Sequence, residues 1–139
     1  MDTPNTFIWG SEVQQHELDI QDIVNNAAYL QYLDRARIQI LLSKGVDWKV
    51  WHQNGFNIVL THIDMELKNS LKVHDKFYVK STYEKSGRLK IIFYQSIYRT
   101  DNDKLIAKAT NTVVCVSIHN GKPVMPNELL TLLFSNTIK

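Results

Sequence analysis

The sequence predicts an α+β domain in which a five-stranded antiparallel sheet curls around one long helix, and three observations carry that prediction. Residues 27–44, AAYLQYLDRARIQILLSK, place apolar side chains at helical spacing and contain neither proline nor glycine. From residue 57 to residue 118 the apolar period drops to two, as half-exposed strands require, and the connections KSG and TDND have hairpin length and hairpin composition. A sheet of five strands has an apolar face too large to leave to water. The 27–44 helix is the one long element available to cover it, so the sheet must wrap that helix.

Size and composition narrow the class further. A chain of 139 residues is long enough for one packed core and too short for two, so residues 1–139 read as a single domain. Apolar residues make up 44% and charged residues 22%, the balance of an ordinary globular protein. A net charge of +2 with no block of Lys and Arg argues against a nucleic-acid surface. Cys115, the single cysteine, lies in the apolar run TVVCVSI and excludes an internal disulfide; it reads as a small buried hydrophobe. His16, His52, His62, His74 and His119 are scattered without metal-ligand spacing, so no metal site is expected. No window approaches the ~18 apolar residues of a membrane span and the first residues lack a basic start before an apolar stretch. The expectation is therefore a soluble, cytoplasmic chain.

In order along the chain, residues 7–18 mix aromatic and polar side chains and read as extended, with Asp19 at the end of the strand. In the helix that follows, Tyr29, Leu33, Ala36 and Ile40 form a stripe that Leu30, Tyr32, Ile38, Leu41 and Leu42 widen until little of the circumference is polar. Such a helix is expected to be largely surrounded. Gly45 supplies its stop, and residues 46–55 make a link with a helical turn. In 57–67, Val59, Ile63, Met65 and Leu67 are expected on one face and His62, Asp64 and Glu66 on the other. The runs 77–84, 89–99 and 104–118 should pair in sequence as a meander, HNGKP closes the last strand, and NELLTLLF forms a final short helix behind Pro126.

The junction DIQDIVNNAAY, residues 19–29, carries the chemistry. A helix start leaves about four amides unpaired and roughly half a positive charge. Asn25 or Asn26 can cap it and Asp22 can add favourable charge, which leaves Asp19 surplus. One reading makes Asp19 a turn residue that merely ends the strand. The other sets a carboxylate across from bare amides, a pairing suited to acyl transfer: the amides stabilise the charge developing on a carbonyl oxygen while the carboxylate attacks the carbon or activates a water. A thioester is reactive enough to yield to such a pair without a Ser–His couple. Asp34 and Arg37 fit a local ion pair with no chemical role.

The run from Asp19 to Tyr29, continued by LQYLDRAR, resembles the signature of hotdog-fold acyl-CoA thioesterases of the 4-hydroxybenzoyl-CoA thioesterase group. The likeness continues through GFNIVLTHIDMELKNSLKVHD and YEKSGRLKIIFYQSIYRTDNDKLIAKATNTVVCVSIHNGKPVMP, nearly the whole chain. It implies hydrolysis of an acyl-CoA thioester to free acid and coenzyme A, with Asp19 as nucleophile or general base and the amide near Asn26 as the oxyanion donor. Arg88 matches the family's contact to the nucleotide phosphates, with Lys85 and Lys90 beside it; Asn25 and Tyr29 flank the expected acyl site. No cofactor is implied beyond the coenzyme A of the substrate, an acyl-carrier protein being the other possible acyl donor, and the assembly implied is a homodimer or homotetramer. The sequence departs from the family where Asp22 stands in place of a glycine and where Ile23 or Asn26 replaces a histidine. Two other readings stay open. One is a non-catalytic acyl-binding member; the other is a hotdog hydratase or dehydratase, against which stands the absence of histidine from residue 17 to 51.

Overall fold

The computed structural model describes residues 6–134; the first five and last five residues of the expected 1–139 domain lie outside it. Strand β1 (Phe7–Glu12) leads through a 3₁₀ turn (Gln15–Glu17) to helix α1 (Asn26–Ser43) and short helix α2 (Trp48–Gln53). Strands β2 (Phe56–Leu67), β3 (Lys76–Ser86), β4 (Lys90–Arg99) and β5 (Leu105–Ser117) follow, then helix α3 (Asn127–Phe134). The strands form one antiparallel sheet in the order β1-β3-β4-β5-β2. The meander is the one expected from the short turns.

Helix α1 lies on the concave face of the sheet, where its apolar stripe replaces water. Tyr29, Tyr32, Leu33 and Ala36 pack with Phe77, Val79, Ile97 and Ala107, and the Tyr32 and Phe77 ring centroids are 4.2 Å apart. One turn and more along, Ile40 and Leu41 join Trp51, Ile91, Phe93, Val113 and Leu129 in a second cluster. Each such large side chain withdrawn from water contributes roughly 1.5–3 kcal/mol before entropy is charged against it. The two clusters also orient the helix. Its start lies at the Lys76 end of β3, and its end lies toward the β3–β4 hairpin.

Polar groups are carried into this core as a bonded set: Arg37, Ser81, Gln95 and Asn111 are all buried. Arg37 bonds Asp34 at 3.3 Å, the local pair expected from the sequence, and donates from Nη1 to Oε1 of buried Gln95 at 2.9 Å. Gln95 in turn donates to the Leu33 carbonyl at 3.1 Å, fixing the helix against β4. Burial pulls the Arg37 guanidinium below its ordinary pKa, with Asp34 opposing.

Three expectations are corrected. The first strand ends at Glu12, because its partner β3 begins opposite it at Lys76. The chain then turns, so Asp19 does not end a strand. In β2 the apolar face changes parity: a bulge at Thr61 sets Ile58 and Leu60 on the concave side with Ile63, Met65 and Leu67, and turns Val59 outward beside His62, Asp64 and Glu66. Helix α1 is also less enclosed than its composition suggests. Leu30 and Leu42 are 36% and 44% exposed, because the helix leaves open the concave side of edge strand β2, whose Ile63 and Leu67 are each 42% exposed.

Candidate active site

The chain between β1 and α1 folds back on itself as a narrow loop. Leu18 bridges Val24 at its neck, and the Asp19 amide donates to the Ile23 carbonyl at 2.8 Å. The neck is tied to the body twice: the Val24 amide donates to the Leu71 carbonyl and the Asn25 amide to the Glu17 carbonyl, each at 2.9 Å. At the tip the Asp22 amide donates to the Asp19 carbonyl at 3.1 Å, and Asp22 adopts a left-handed φ of 63°. Asp and Asn are among the few side-chain-bearing residues that enter this region readily. Asp22 therefore occupies a backbone conformation suited to the glycine of the resembling family.

Asp19 takes part in the turn through one oxygen of its carboxylate. Its Oδ1 accepts from the Gln21 amide at 2.8 Å, the turn-closing bond of an Asx turn. Its Oδ2 accepts no bond from the described residues, and the side chain is half-buried. The turn thus fixes one oxygen and leaves the other available.

Helix α1 begins directly behind this loop. The Asn25 side chain caps it, accepting from the Ala28 amide at 3.1 Å, a cap whose loss typically costs ~1 kcal/mol. Among the described residues nothing accepts from the amides of Asn26 and Ala27.

Tyr29 lies beneath the site, 2% exposed, with its hydroxyl accepting from the Leu71 amide at 3.0 Å. Burial raises its pKa, and the charges of Asp19 and Asp75 add to the effect. The carboxylate of Asp19 is thus felt by the ring that supports the helix start. Tyr29 offers a ligand little surface.

Sequence reasoning passed over Glu17. The residue is 7% exposed, and its Oε1 accepts from the Tyr32 hydroxyl at 2.7 Å and from the Gln14 amide at 2.8 Å. The Q-x-x-E spacing of Gln14 and Glu17, a capping-box-like pattern, was the available signal.

Lys85, Arg88 and Lys90 are exposed around the β3–β4 hairpin, where Lys85 donates to the Gly87 carbonyl. Strand β3 spans 11 residues, so roughly 33 Å of strand separates that tip from the Lys76 end where Asp19 lies. The protomer does not bring the basic group to the carboxylate. Between the two ends, α1, α2 and β2 enclose a groove of about 500 Å³ lined by Ile38, Leu41, Trp48, Leu60, Phe93 and Val113, with Asp34, Arg37 and Asn57 as polar members. No cluster of three or more potential metal ligands occurs among the described residues, and none of their helices is long and apolar enough to cross a membrane.

The sequence profile of the Thioesterase-like superfamily matches residues 13–133. A putative esterase of Aquifex aeolicus is 34% identical over 128 residues, covering 91% of this chain and 97% of its own. The long-chain acyl-CoA thioesterase FadM of Escherichia coli is 27% identical over 112 residues, covering 80% of this chain and 83% of its own. Among solved structures, a 1,4-dihydroxy-2-naphthoyl-CoA thioesterase from Synechocystis superposes with a TM-score of 0.87 at 19% identity, covering 94% of this chain and 97% of that one. That superposition identifies the wrapped sheet as a hotdog fold.

Proposed function

Because this chain belongs to the Thioesterase-like superfamily and is a thioester hydrolase, we propose that its substrate is an acyl-coenzyme A, cut by Asp19 against the start of α1. The pairing of a carboxylate that keeps one oxygen unbonded with the bare amides of Asn26 and Ala27 carries this reading. The thioester carbonyl oxygen accepts from the Asn26 amide. Asp19 takes a proton from a water that adds to the carbonyl carbon, or adds to that carbon itself. The tetrahedral oxyanion collapses and the C–S bond breaks. In the first route the coenzyme A sulfur leaves with the proton taken by Asp19 and the free acid is released. In the second it leaves as a thiolate that solvent protonates, the acyl–Asp19 anhydride then being cleaved by water to the free acid.

The acyl group runs along the exposed flank of α1. At 1.5 Å per residue the groove opens about 12 Å from Asn26 at Asp34 and reaches about 22 Å at Leu41, which favours a chain over a single aromatic ring. A second copy completes the site. Edge strand β2 has one unpaired side and an open apolar face, and antiparallel pairing of two such edges about a twofold axis turns the partner's hairpin tip toward this protomer's Asp19 end. Arg88, Lys85 and Lys90 then meet the nucleotide phosphates across the dimer.

Thiol release from a panel of fatty and aromatic acyl-CoA substrates tests the reading. Asp19→Asn should reduce kcat about 100-fold or more, and equal release by both proteins would sink the assignment. After one turnover in heavy-oxygen water, label found in the Asp19 carboxylate identifies it as the group that attacks the carbonyl carbon.

A further inference from the structure

Glu17 is a buried acid that the proposed chemistry does not use. Neither Lys nor Arg bonds it; among the described residues its partners are the Tyr32 hydroxyl and the Gln14 amide, both on Oε1. Its own carbonyl accepts from the amide of Asn25, the cap of α1. One residue therefore grips the helix twice, through its side chain at Tyr32 and through its backbone at Asn25. Asp19 follows two residues later, immediately past the Leu18–Val24 neck.

We infer that Glu17 is a positioning residue: its carboxylate, clamped by the Tyr32 hydroxyl, sets the loop bearing Asp19 in register with the free amides at the start of α1. The inference rests on the acyl-transfer reading of Asp19 and adds to it the device that holds carboxylate and amides in mutual order. Tyr32 is itself fixed by core packing, 1% exposed with its ring tilted against that of Phe77, so it is a rigid point to clamp against. A carboxylate left buried without its hydroxyl donor is strongly disfavoured and swings toward water. Because Glu17 and Asn25 share a backbone bond, that movement pulls on the neck and the cap together. The chemistry tolerates little of this, since displacement of a reacting group by about 1 Å can reduce rate about 100-fold.

The test uses the full-length chain and the variants Tyr32→Phe and Glu17→Gln. Tyr32→Phe removes only the hydroxyl. It should lower kcat by about 10- to 100-fold, leave KM within a few-fold, and speed hydrogen exchange of the amides from Asp19 to Asn25 while those of β3–β5 stay protected. Glu17→Gln keeps an oxygen that accepts from Tyr32 and Gln14, and should restore both kcat and slow exchange with an unchanged pH profile. Unaltered loop exchange in Tyr32→Phe would overturn the clamp, as would a Glu17→Gln enzyme as inactive as Asp19→Asn, which would make Glu17 a proton-transferring group. If the native chain releases no thiol, the acyl-transfer reading falls, and the exchange data still decide whether the clamp exists.

Discussion

At the scale of single residues, the loop at Asp19–Ile23 holds one of the three non-glycine residues with a left-handed φ among those described. Asp22 at φ 63° lies where a left-handed conformation is needed. Asp22→Gly is therefore expected to match or slightly exceed the native stability, and Asp22→Val to lose about 1–2 kcal/mol, both read from urea unfolding midpoints. Cys115 behaves oppositely to a reactive thiol: it is 1% exposed and burial pushes it up to about 11. It should resist aromatic disulfide reagents at neutral pH until the chain is unfolded, so coenzyme A release can be followed without background from the protein. Asp19 and Asn25 were legible in the sequence because a turn acid and a helix cap are local signals. Glu17 was not, because its partner Tyr32 is 15 residues away and its burial is created by the helix docking on β3. The phosphate-contact assignment of Arg88 came from resemblance; no local pattern could say which end of a protomer it occupies.

At the scale of elements, β3, β4 and β5 were readable because each pairs with its neighbour in sequence through a short turn. Strand β2 was readable as a strand but not in its facing, since one bulged residue inverts the parity of everything beyond it. The adjacent apolar pair Val59 and Leu60 was the hint that strict alternation fails there. Deleting Thr61 removes the extra residue and joins Leu60 to His62, which already pair with the adjacent Val113 and Thr112, so His62, Asp64 and Glu66 keep their outward facing. That variant should fold and, like Thr61→Ser, melt near the native temperature. Ile63→Lys leaves the protomer's own core intact and charges the open face of the edge. It is expected to yield a folded monomer by sedimentation, with thiol release lost alongside assembly.

Across the whole molecule, the enclosure of aromatic and thiol groups sets an alkaline limit. Burial raises Tyr83 to about 12 and Cys115 to about 11, and it also raises Tyr29 and Tyr32, where for Tyr32 the bond to Glu17 adds to it. Each group is neutral when protonated. The unfolded chain thus ionises first, from the ordinary values of 9.0 for the thiol and 10.0 for the phenols. Stability from these groups is whole below about pH 9 and drains away as pH climbs toward 12. Melting temperature should fall across that interval, with the tyrosinate absorbance of buried Tyr29 and Tyr32 rising together with unfolding rather than before it. The strand order has a further consequence during synthesis. Phe7 pairs with Ser81, so the first strand leaves the ribosome long before its neighbour exists, and α1 emerges before most of the sheet it will lie against. The apolar stripe of α1 must wait in the company of water or a chaperone, which makes slowed translation through β3–β5 a more dangerous perturbation than slowed translation after them.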